Sequence, residues 1–378
     1  LETVRTEDIW TGNNSPILES VPEADGYYHV STANQLRGSL KKAEASSNSA
    51  VKIKLINDID LNGVEGHSWG SLVLNAPLEI EGQNHIISNL LIAAPHSTGG
   101  ISASVGTGFI DRSSKNITVN NLHFKSVKIK GEGNTALFPV VTAGAVLNMD
   151  NCSVEDGLIE GGGCVGVLSA YVSTELGAGK DSKIKNSYTK NCYVYGDSHI
   201  SNFVTAYTGT LENCYALDGV VISTGGHSGG MASCAGHPAI FKKCFTNVTV
   251  YGNQDTGVMY GQIQDNGYVF EECYTSGIIE GNQSIGGFIG SYSSNYDAKF
   301  TDCYSTSMVG MDGGGANLGG FVGLPKGSTG AFVRCYAAGE VGSLSTVLGK
   351  NTIGGFSGNG VNTYTNCFYD KQTSAARE

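Results

Sequence analysis

The fold of this chain is decided by a unit that occurs twice in succession, as FEECYTSGIIEGNQSIGGFIG at residues 270–290 and as FTDCYSTSMVGMDGGGANLGGFVG at residues 300–323. In both copies a phenylalanine stands three positions before a cysteine, a tyrosine follows the cysteine, and a glycine pair with a phenylalanine comes near the end. One such unit cannot bury its apolar face alone and must pack on its neighbours. The repeat therefore predicts a solenoid.

The cysteine of this unit recurs at nearly constant spacing. Six members, separated by 30, 29, 30, 32 and 32 residues, are Cys214, Cys244, Cys273, Cys303, Cys335 and Cys367. The same period extends backwards to Ser187, Cys152, Leu122 and Leu90. We name these ten positions the ladder, and its nine intervals predict about nine coils.

Composition favours strands over helices within each coil. The chain has 54 glycines, 7 prolines and only 15% charged residues, whereas helical repeats of this size need long runs of Ala, Leu, Glu and Lys at helical spacing. Each period divides into about three short strands and three bends, and each circuit rises by roughly 4.8 Å. Because parallel crossovers are overwhelmingly right-handed, the sequence predicts an all-β, right-handed parallel β-helix.

The residues before the ladder predict a bend. An apolar column stands three positions earlier and comprises Ile87, Val119, Ile184, Leu211, Phe241, Phe270, Phe300, Phe332 and Tyr364. Strict strand alternation from this column would bury charges next to the ladder, which is too costly. The position just before the ladder holds Asn89, Asn121, Asn151, Asn186, Asn213 and Asn366, and elsewhere Lys243, Glu272, Asp302 and Arg334. Asparagine tolerates left-handed backbone, so we expect an asparagine bend here.

Two further columns fit the same geometry. Six residues after the ladder we expect an inward aliphatic stack of Leu158, Val220, Val250, Ile279, Val309 and Val341. Further on, a glycine motif recurs as HSGGM, DTGVM, SIGGF, NLGGF and TIGGF. Glycine pairs allow positive φ and the close approach of successive coils, so these motifs predict corners.

The ladder cysteines are predicted to be unpaired and internal. In-register residues on adjacent parallel strands rarely have the side-chain directions that a disulfide needs, and Leu and Ser replace cysteine at several ladder positions. A small buried thiol packs as an apolar group. The alternative is a set of scattered disulfides among Cys164, Cys192, Cys234 and their neighbours.

The ends of the chain differ from the coils. Residues 1–50 are predicted to form an N-terminal cap with one short helix, which opens at Ser31 and runs to about Ala45, because Thr32 and Gln35 have capping-box spacing. The coils are placed at 51–369 and a tail at 370–378. Since no cap is visible after the last coil, we expect a further domain or another chain to contact that end.

Copies such as NCYALDGVVISTGGHSGGMAS, ECYTSGIIEGNQSIGGFIGSY and DCYSTSMVGMDGGGANLGGFVG resemble the GLUG repeats of large bacterial surface and secreted proteins. The segments YYHVSTANQLRGSL, KLINDIDLNG, IEGQNHIISNLLI and NCFYDKQTSA resemble the sequences that flank such repeats, so the resemblance covers about residues 26–374. It implies an extracellular β-solenoid of the kind found in adhesins or beside enzymes. The family brings no established catalytic residues.

A ring directly follows the ladder in the last seven coils. We name these residues the aromatic column: Tyr188, Tyr215, Phe245, Tyr274, Tyr304, Tyr336 and Phe368. If alternation continues past an inward cysteine, the rings face outward and form a flat platform for sugar rings or a partner protein. In the competing interpretation the rings only stack on one another beneath a loop. The column is our predicted ligand-binding site.

Two candidate catalytic sites have simpler explanations within the repeat. Glu272 and Asp302 lie one coil apart, and β-helical polysaccharide lyases and hydrolases use such carboxylates. However, Lys243 and Arg334 flank them, which indicates a neutralised surface column; we name these four residues the charged column. The motif GHSGG at residues 226–230 matches G-x-S-x-G, yet no helical pattern follows its serine as a nucleophile elbow requires. We therefore predict no catalytic residues.

Charge and the lack of motifs narrow the function classes. The net charge of −11 works against binding to nucleic acids, anionic polysaccharides and acidic membranes. No apolar stretch reaches 18 residues, so we expect no transmembrane segment, and no metal or nucleotide motif predicts a cofactor. The first residue, Leu1, fits a removed signal peptide.

The resulting hypothesis is a secreted or bacterial cell-surface module that is adhesive or structural, binds a glycan or a surface protein, and has no catalytic activity. One alternative is a polysaccharide lyase or glycoside hydrolase with its site on a solenoid face. A second alternative is a component of a phage or fimbria-like fibre, which would share the fold.

Overall fold

The structure is a computed structural model, and all that follows concerns the residues it describes. They are 9–12, 22–46, 49–93, 106–142, 144–172, 182–235, 238–292, 296–310, 317–325, 331–342, 352–359 and 363–373. The chain forms a β-solenoid of about nine turns with one short helix. Its stacked strands pair in parallel from one coil to the next, as the repeat predicted.

A full coil contains five short strands. We define their names on the coil that begins at Tyr268. They are a first strand (Tyr268–Glu271), a ring strand (Tyr274–Thr275), an aliphatic strand (Ile278–Glu280), a glycine strand (Gln283–Gly286) and a return strand (Ile289–Tyr292). The prediction of three strands per coil was too low, because bends and glycine corners both interrupt the circuit.

Strands of one class stack along the solenoid axis. The first strands are Tyr28–Val30, Val51–Leu55, Leu147–Asp150, Lys183–Lys185, Gly209–Glu212, Ala239–Lys242, Tyr268–Glu271, Ala298–Thr301, Ala331–Val333 and Thr363–Thr365. The ring strands are Ile59–Asp60, Ser153–Glu155, Tyr188–Lys190, Tyr274–Thr275, Tyr304–Ser305, Tyr336–Ala337 and Phe368–Tyr369. Two longer strands span both positions: Leu78–Ser88 and Ile117–Lys125.

The remaining strands complete each circuit. The aliphatic strands are Leu91–Ile92, Lys128–Lys130, Leu158–Gly161, Tyr193–Gly196, Ile278–Glu280 and Met308–Val309, and two strands span the ring and aliphatic positions, Tyr215–Ser223 and Phe245–Tyr251. The glycine strands are Gly106–Thr107, Asn134–Thr135, Cys164–Val165, His199–Ser201, His227–Gly229, Gln254–Gly257, Gln283–Gly286, Asn317–Gly319 and Thr352–Gly354. The return strands are Val73–Leu74, Arg112–Ser113, Phe138–Val141, Ser169–Val172, Val204–Tyr207, Ala232–Ala235, Tyr260–Ile263, Ile289–Tyr292 and Val322–Pro325.

The core contains the apolar column as a stack of parallel rings. Phe270, Phe300 and Phe332 are fully buried, and their centroids are 5.0 and 4.5 Å apart along the axis. Phe288 and Phe321 from the glycine corners pack edge-on against this stack. Offset and edge-to-face contacts of this kind add to the free energy of burial. In the coil of Cys152 the column residue is Met149, which pairs with Val119.

The asparagine bend is confirmed. Every position from Asn121 onward that was predicted to form it has a φ between +48° and +55°, including the charged substitutes Lys243 and Arg334. Amides also bridge successive coils, since Asn151 Nδ2 donates to Asn121 Oδ1 at 2.8 Å. The left-handed bend explains why the apolar column and the ladder both face inward although they are three residues apart.

Three predicted columns were wrong at their first residue: the ladder, the asparagine bend and the apolar column, where Ile80 and not Ile87 pairs with Val119. Leu90 is not a ladder residue, because Leu122 pairs with His85; an irregularity between Glu81 and His85 shifts the register. Asn89 has a positive φ, but its backbone N–H donates to the Lys125 carbonyl oxygen, which places it at a second bend further along the coil.

Leu158 and Val220 are likewise not members of the aliphatic stack. Leu158 is 44% exposed and Val220 is partly exposed, whereas Ile159 and Val221 are buried in their place. These earlier coils contain one extra residue at the second bend, where Asp156 and Asp218 have positive φ. Later coils lack it, so Val250, Ile279, Val309 and Val341 are buried as predicted.

Glycine is required at the corners for close approach rather than for positive φ. A Cβ on Gly286 would lie 1.9 Å from the Ile289 carbonyl oxygen and 2.7 Å from the Gly323 amide nitrogen, both backbone atoms. The φ of Gly286 is not in the left-handed range. The corner therefore holds the next coil at a distance that no side chain permits.

The predicted helix is present over Ala33–Ala45 and covers the N-terminal end of the core. Thr32 is its N-cap and accepts a hydrogen bond from the Gln35 amide at 3.3 Å. Arg37 is 5% exposed and donates to the carbonyl oxygens of Gly70 and Ser71 at 2.9 Å each. Because Tyr28–Val30 already pairs with Val51–Leu55, the sheet begins within the segment predicted as the cap.

All ten cysteines lie in the described part of the chain and are unpaired, which confirms the internal thiol stack over scattered disulfides. Ladder thiols contact the preceding coil: Cys273 Sγ donates to the Phe241 carbonyl oxygen at 3.4 Å. Burial raises the pKa of the Cys152 and Cys164 thiols to about 12. At neutral pH these groups are therefore protonated and poorly nucleophilic.

We expect Cys273, Cys303 and Cys335 to resist thiol reagents in the folded protein and to react after denaturation, because all three side chains are buried and out of reach of the reagent. Mass spectrometry after iodoacetamide labelling with and without urea measures this directly. A matched control is Cys367, which is only partly buried and should be labelled sooner. Disulfides between ladder cysteines in the intact-mass spectrum would contradict the assignment.

Candidate functional site: the aromatic column

The aromatic column is one continuous file of rings on the outer surface. Its seven residues pair in register from coil to coil: Tyr188, Tyr215, Phe245, Tyr274, Tyr304, Tyr336 and Phe368. Phe245 and Tyr274 have ring centroids 4.0 Å apart, and Tyr274 and Tyr304 are 4.8 Å apart with planes only 9° from parallel. Phe245, Tyr274 and Tyr304 thus stand one above another at the spacing of the coils, and the other four residues share their register.

The rings face outward because the ladder residue before them faces inward. Thr275, Ser305 and Ala337, which follow the rings, are buried, as alternation past the cysteine predicted. Exposure rises toward the C-terminal end, from partly buried rings to Tyr304 at 41% and Phe368 at 65%. Three central rings therefore stack on one another, and the rings of the column leave part of their surface in contact with solvent.

The column is electrically neutral at physiological pH. Partial burial raises the pKa of Tyr215 and of Tyr304 above the ordinary value for tyrosine. The Tyr215 hydroxyl donates to Asn213 Oδ1 of the asparagine bend, which fixes the edge of that ring. Neutral rings with polar edges suit a neutral ligand that presents both C–H groups and hydroxyls.

The charged column lies two residues before the rings, at the exposed bend. Arg334 Nε and one of its terminal nitrogens donate to the two carboxylate oxygens of Asp302 at 2.6 Å each. This hydrogen bonding from Arg334 lowers the pKa of Asp302. Asp302 is therefore an ionised, paired carboxylate rather than a proton donor, whereas Lys243 and Glu272 are exposed at neighbouring coils.

The GHSGG motif lies on a glycine strand and is not a nucleophile elbow. Ser228 is fully buried and pairs in register with Ile200, whereas His227 is partly exposed. His227 Nδ1 lies 3.1 Å from Asp255 Oδ2, and its ring centroid is 5.2 Å from that of His199. Burial, followed by the proximity of His227, lowers the pKa of His199 to about 4. The serine and the histidine thus occupy opposite faces of one strand.

Sequence reasoning missed the surface just beyond the N-terminal end of the aromatic column. One coil before Tyr188 the in-register residue is Ser153, and one coil earlier it is His123. Its only signal in the sequence is that the ladder tripeptide reads NCS rather than NCY or NCF.

Among the described residues, no cluster of three or more His, Cys, Asp or Glu could hold a metal ion. The same part of the chain contains no helix that is long and apolar enough to cross a bilayer.

Comparisons with known proteins assign no family to this chain. Neither a protein-family model nor a curated protein matches the chain. Among solved structures, a crystal structure of a Bacteroides ovatus protein provisionally described as an immunoglobulin A1 protease is similar, with 16% identity and a TM-score of 0.48. The match covers 94% of this chain and 87% of the other. A similarity at this level carries no conclusion about function.

Proposed function

We propose that this protein is a non-catalytic, extracellular β-solenoid module that binds a neutral glycan along its aromatic column. The observation that carries the proposal is the file of seven in-register rings with solvent-exposed faces. Sugar rings present C–H faces that pack on aromatic rings, and their hydroxyls take hydrogen bonds at the edges. A glycan has a repeated unit, as the column does.

Charge supports a neutral ligand. The chain carries a net charge of −11, which opposes the approach of a polyanion. Within the charged column, which stands two residues before the rings, Asp302 and Arg334 neutralise each other. Affinity must then arise from ring contacts and hydroxyl hydrogen bonds rather than from ion pairs, so binding should change little with salt concentration.

The test is a screen of the purified protein on an array of neutral and anionic glycans, followed by calorimetry with the best ligand at two salt concentrations. The proposal predicts binding to neutral glycans that is nearly independent of salt. Failure to bind any neutral glycan, or binding confined to anionic glycans and lost at high salt, would contradict it.

We expect no release of reducing ends or unsaturated uronates from polysaccharides incubated with the wild-type protein. The candidate carboxylates, Glu272 and Asp302, lie at an exposed bend where Arg334 pairs with Asp302. A general acid instead needs a raised pKa. Turnover that disappears in Glu272→Gln or Asp302→Asn, and persists in the control Lys243→Gln, would favour the lyase or hydrolase alternative.

A further inference from the structure

A groove of about 260 Å³ opens where the aromatic column ends, beside Tyr188. We name it the Ser153 notch; it is lined by Ile86, His123, Lys125, Ser153, Glu155 and Tyr188. Ile86, His123, Ser153 and Tyr188 stand in register on successive coils, so a small side chain sits between larger ones. The Ser153 side chain forms the floor and is only 2% exposed.

The walls of the notch are held by two hydrogen bonds. The Tyr188 hydroxyl donates to Glu155 Oε1 at 2.7 Å, which fixes the ring that closes one end. His123 Nδ1 lies 2.8 Å from Ser153 Oγ, which fixes the imidazole at the other end. A carboxylate accepts about four hydrogen bonds, so the bond from Tyr188 leaves Glu155 with further acceptor capacity.

Size and charge define the ligand. Pockets for drug-sized molecules span about 300–1,000 Å³, so a groove of about 260 Å³ fits one small ring rather than an extended molecule. Lys125 pairs in register with Glu155, so opposite charges stand side by side and neither sign of ligand is favoured. Burial also lowers the pKa of His123, which keeps the imidazole neutral at pH 7.

We propose that the Ser153 notch binds one neutral pyranose ring, the terminal unit of the glycan that lies along the aromatic column. The apolar face of the sugar packs on Tyr188, and its hydroxyls hydrogen-bond with Glu155 and with the His123–Ser153 pair. This inference rests on the proposed function. The aromatic column contacts the glycan along its length, and the Ser153 notch recognises its terminal unit.

The test uses calorimetry with glucose, galactose, mannose and N-acetylglucosamine and with a trisaccharide of each. Ser153→Tyr fills the notch with the ring found at this position in later coils, where Tyr274 and Tyr304 stack at 4.8 Å, so the fold accommodates it. We expect this variant to lose measurable monosaccharide binding and to bind the preferred trisaccharide at least about tenfold more weakly. Circular dichroism checks that the variant is folded.

A second variant, Glu155→Gln, keeps an acceptor for Tyr188 and removes the charge. Because hydrogen bonds to charged groups are the stronger ones, its affinity for the same sugars should fall by about tenfold. The matched control is Ser276→Tyr, an exposed position on the same side of the solenoid at a coil remote from the notch; it should leave monosaccharide binding unchanged.

The outcomes separate the two proposals. Trisaccharide binding that is lost in Tyr274→Ala/Tyr304→Ala but unchanged in both Ser153→Tyr and Glu155→Gln would overturn the notch and leave the platform in place. A wild-type protein that binds none of these sugars, and no neutral glycan on the array, would overturn both.

Discussion

Replacing Tyr274 and Tyr304 together by alanine is expected to abolish glycan binding while the solenoid stays folded. These two rings stack at 4.8 Å in the middle of the exposed file, and Tyr304 is 41% exposed. A buried aromatic contact at an interface typically contributes about 2 kcal/mol or more, so two of them correspond to roughly a thousandfold in Kd. Calorimetry with the best glycan from the array measures the loss.

The control for this variant is Tyr195→Ala/Tyr251→Ala. These tyrosines are 41% and 42% exposed but belong to aliphatic strands, outside the aromatic column. The control should bind the glycan as the wild type does. If Tyr274→Ala/Tyr304→Ala instead lowers the melting temperature steeply, the rings are part of the core and the platform hypothesis is wrong.

Phe300→Ala should destabilise the protein by about 3–5 kcal/mol, the usual loss for a buried phenylalanine. Its ring is fully buried and lies between Phe270 at 5.0 Å and Phe332 at 4.5 Å. Truncation removes both stacked contacts and leaves a cavity that the parallel strands cannot collapse to fill. Equilibrium urea unfolding followed by circular dichroism gives the change in free energy.

Tyr304→Ala is the matched comparison for Phe300→Ala, since both remove a ring from the same coil on either side of the Cys303 ladder position. Tyr304 is 41% exposed, so its removal should cost much less stability. Equal losses of stability for the two variants would mean that the assignment of Phe300 to the core and of Tyr304 to the surface is wrong. This comparison tests the bend at Asp302 without a substitution at that residue.

The repeat was enough to predict the fold and most of one coil. The cysteine period predicted the number of turns, and the charges before the ladder required a bend, which the positive φ of Glu272 and Asp302 confirms. Those inferences succeed because burying a charge and leaving an apolar face uncovered are both strongly unfavourable.

Register within the earlier coils was less predictable. One extra residue at a second bend, as at Asp156, moves every following side chain to the other face of its strand, so Ile159 replaces Leu158 in the core. Adjacent residues of this strand, such as Leu158 and Ile159, are both apolar, so the hydrophobic pattern alone does not determine which of them is buried. The Ser153 notch escaped prediction for another reason: the serine of the NCS tripeptide marks a missing ring, but the sequence does not show which neighbouring side chains surround the gap.

The parallel stacking of coils also determines how the molecule carries mechanical load. The backbone hydrogen bonds of each coil join it to the coils before and after it, and they run along the solenoid axis. Tension applied between the two ends passes through these interfaces in series, so every coil bears the same force. Yielding then begins at the weakest of these interfaces, and each coil that separates lengthens the molecule while the coils that remain stacked keep their ring order.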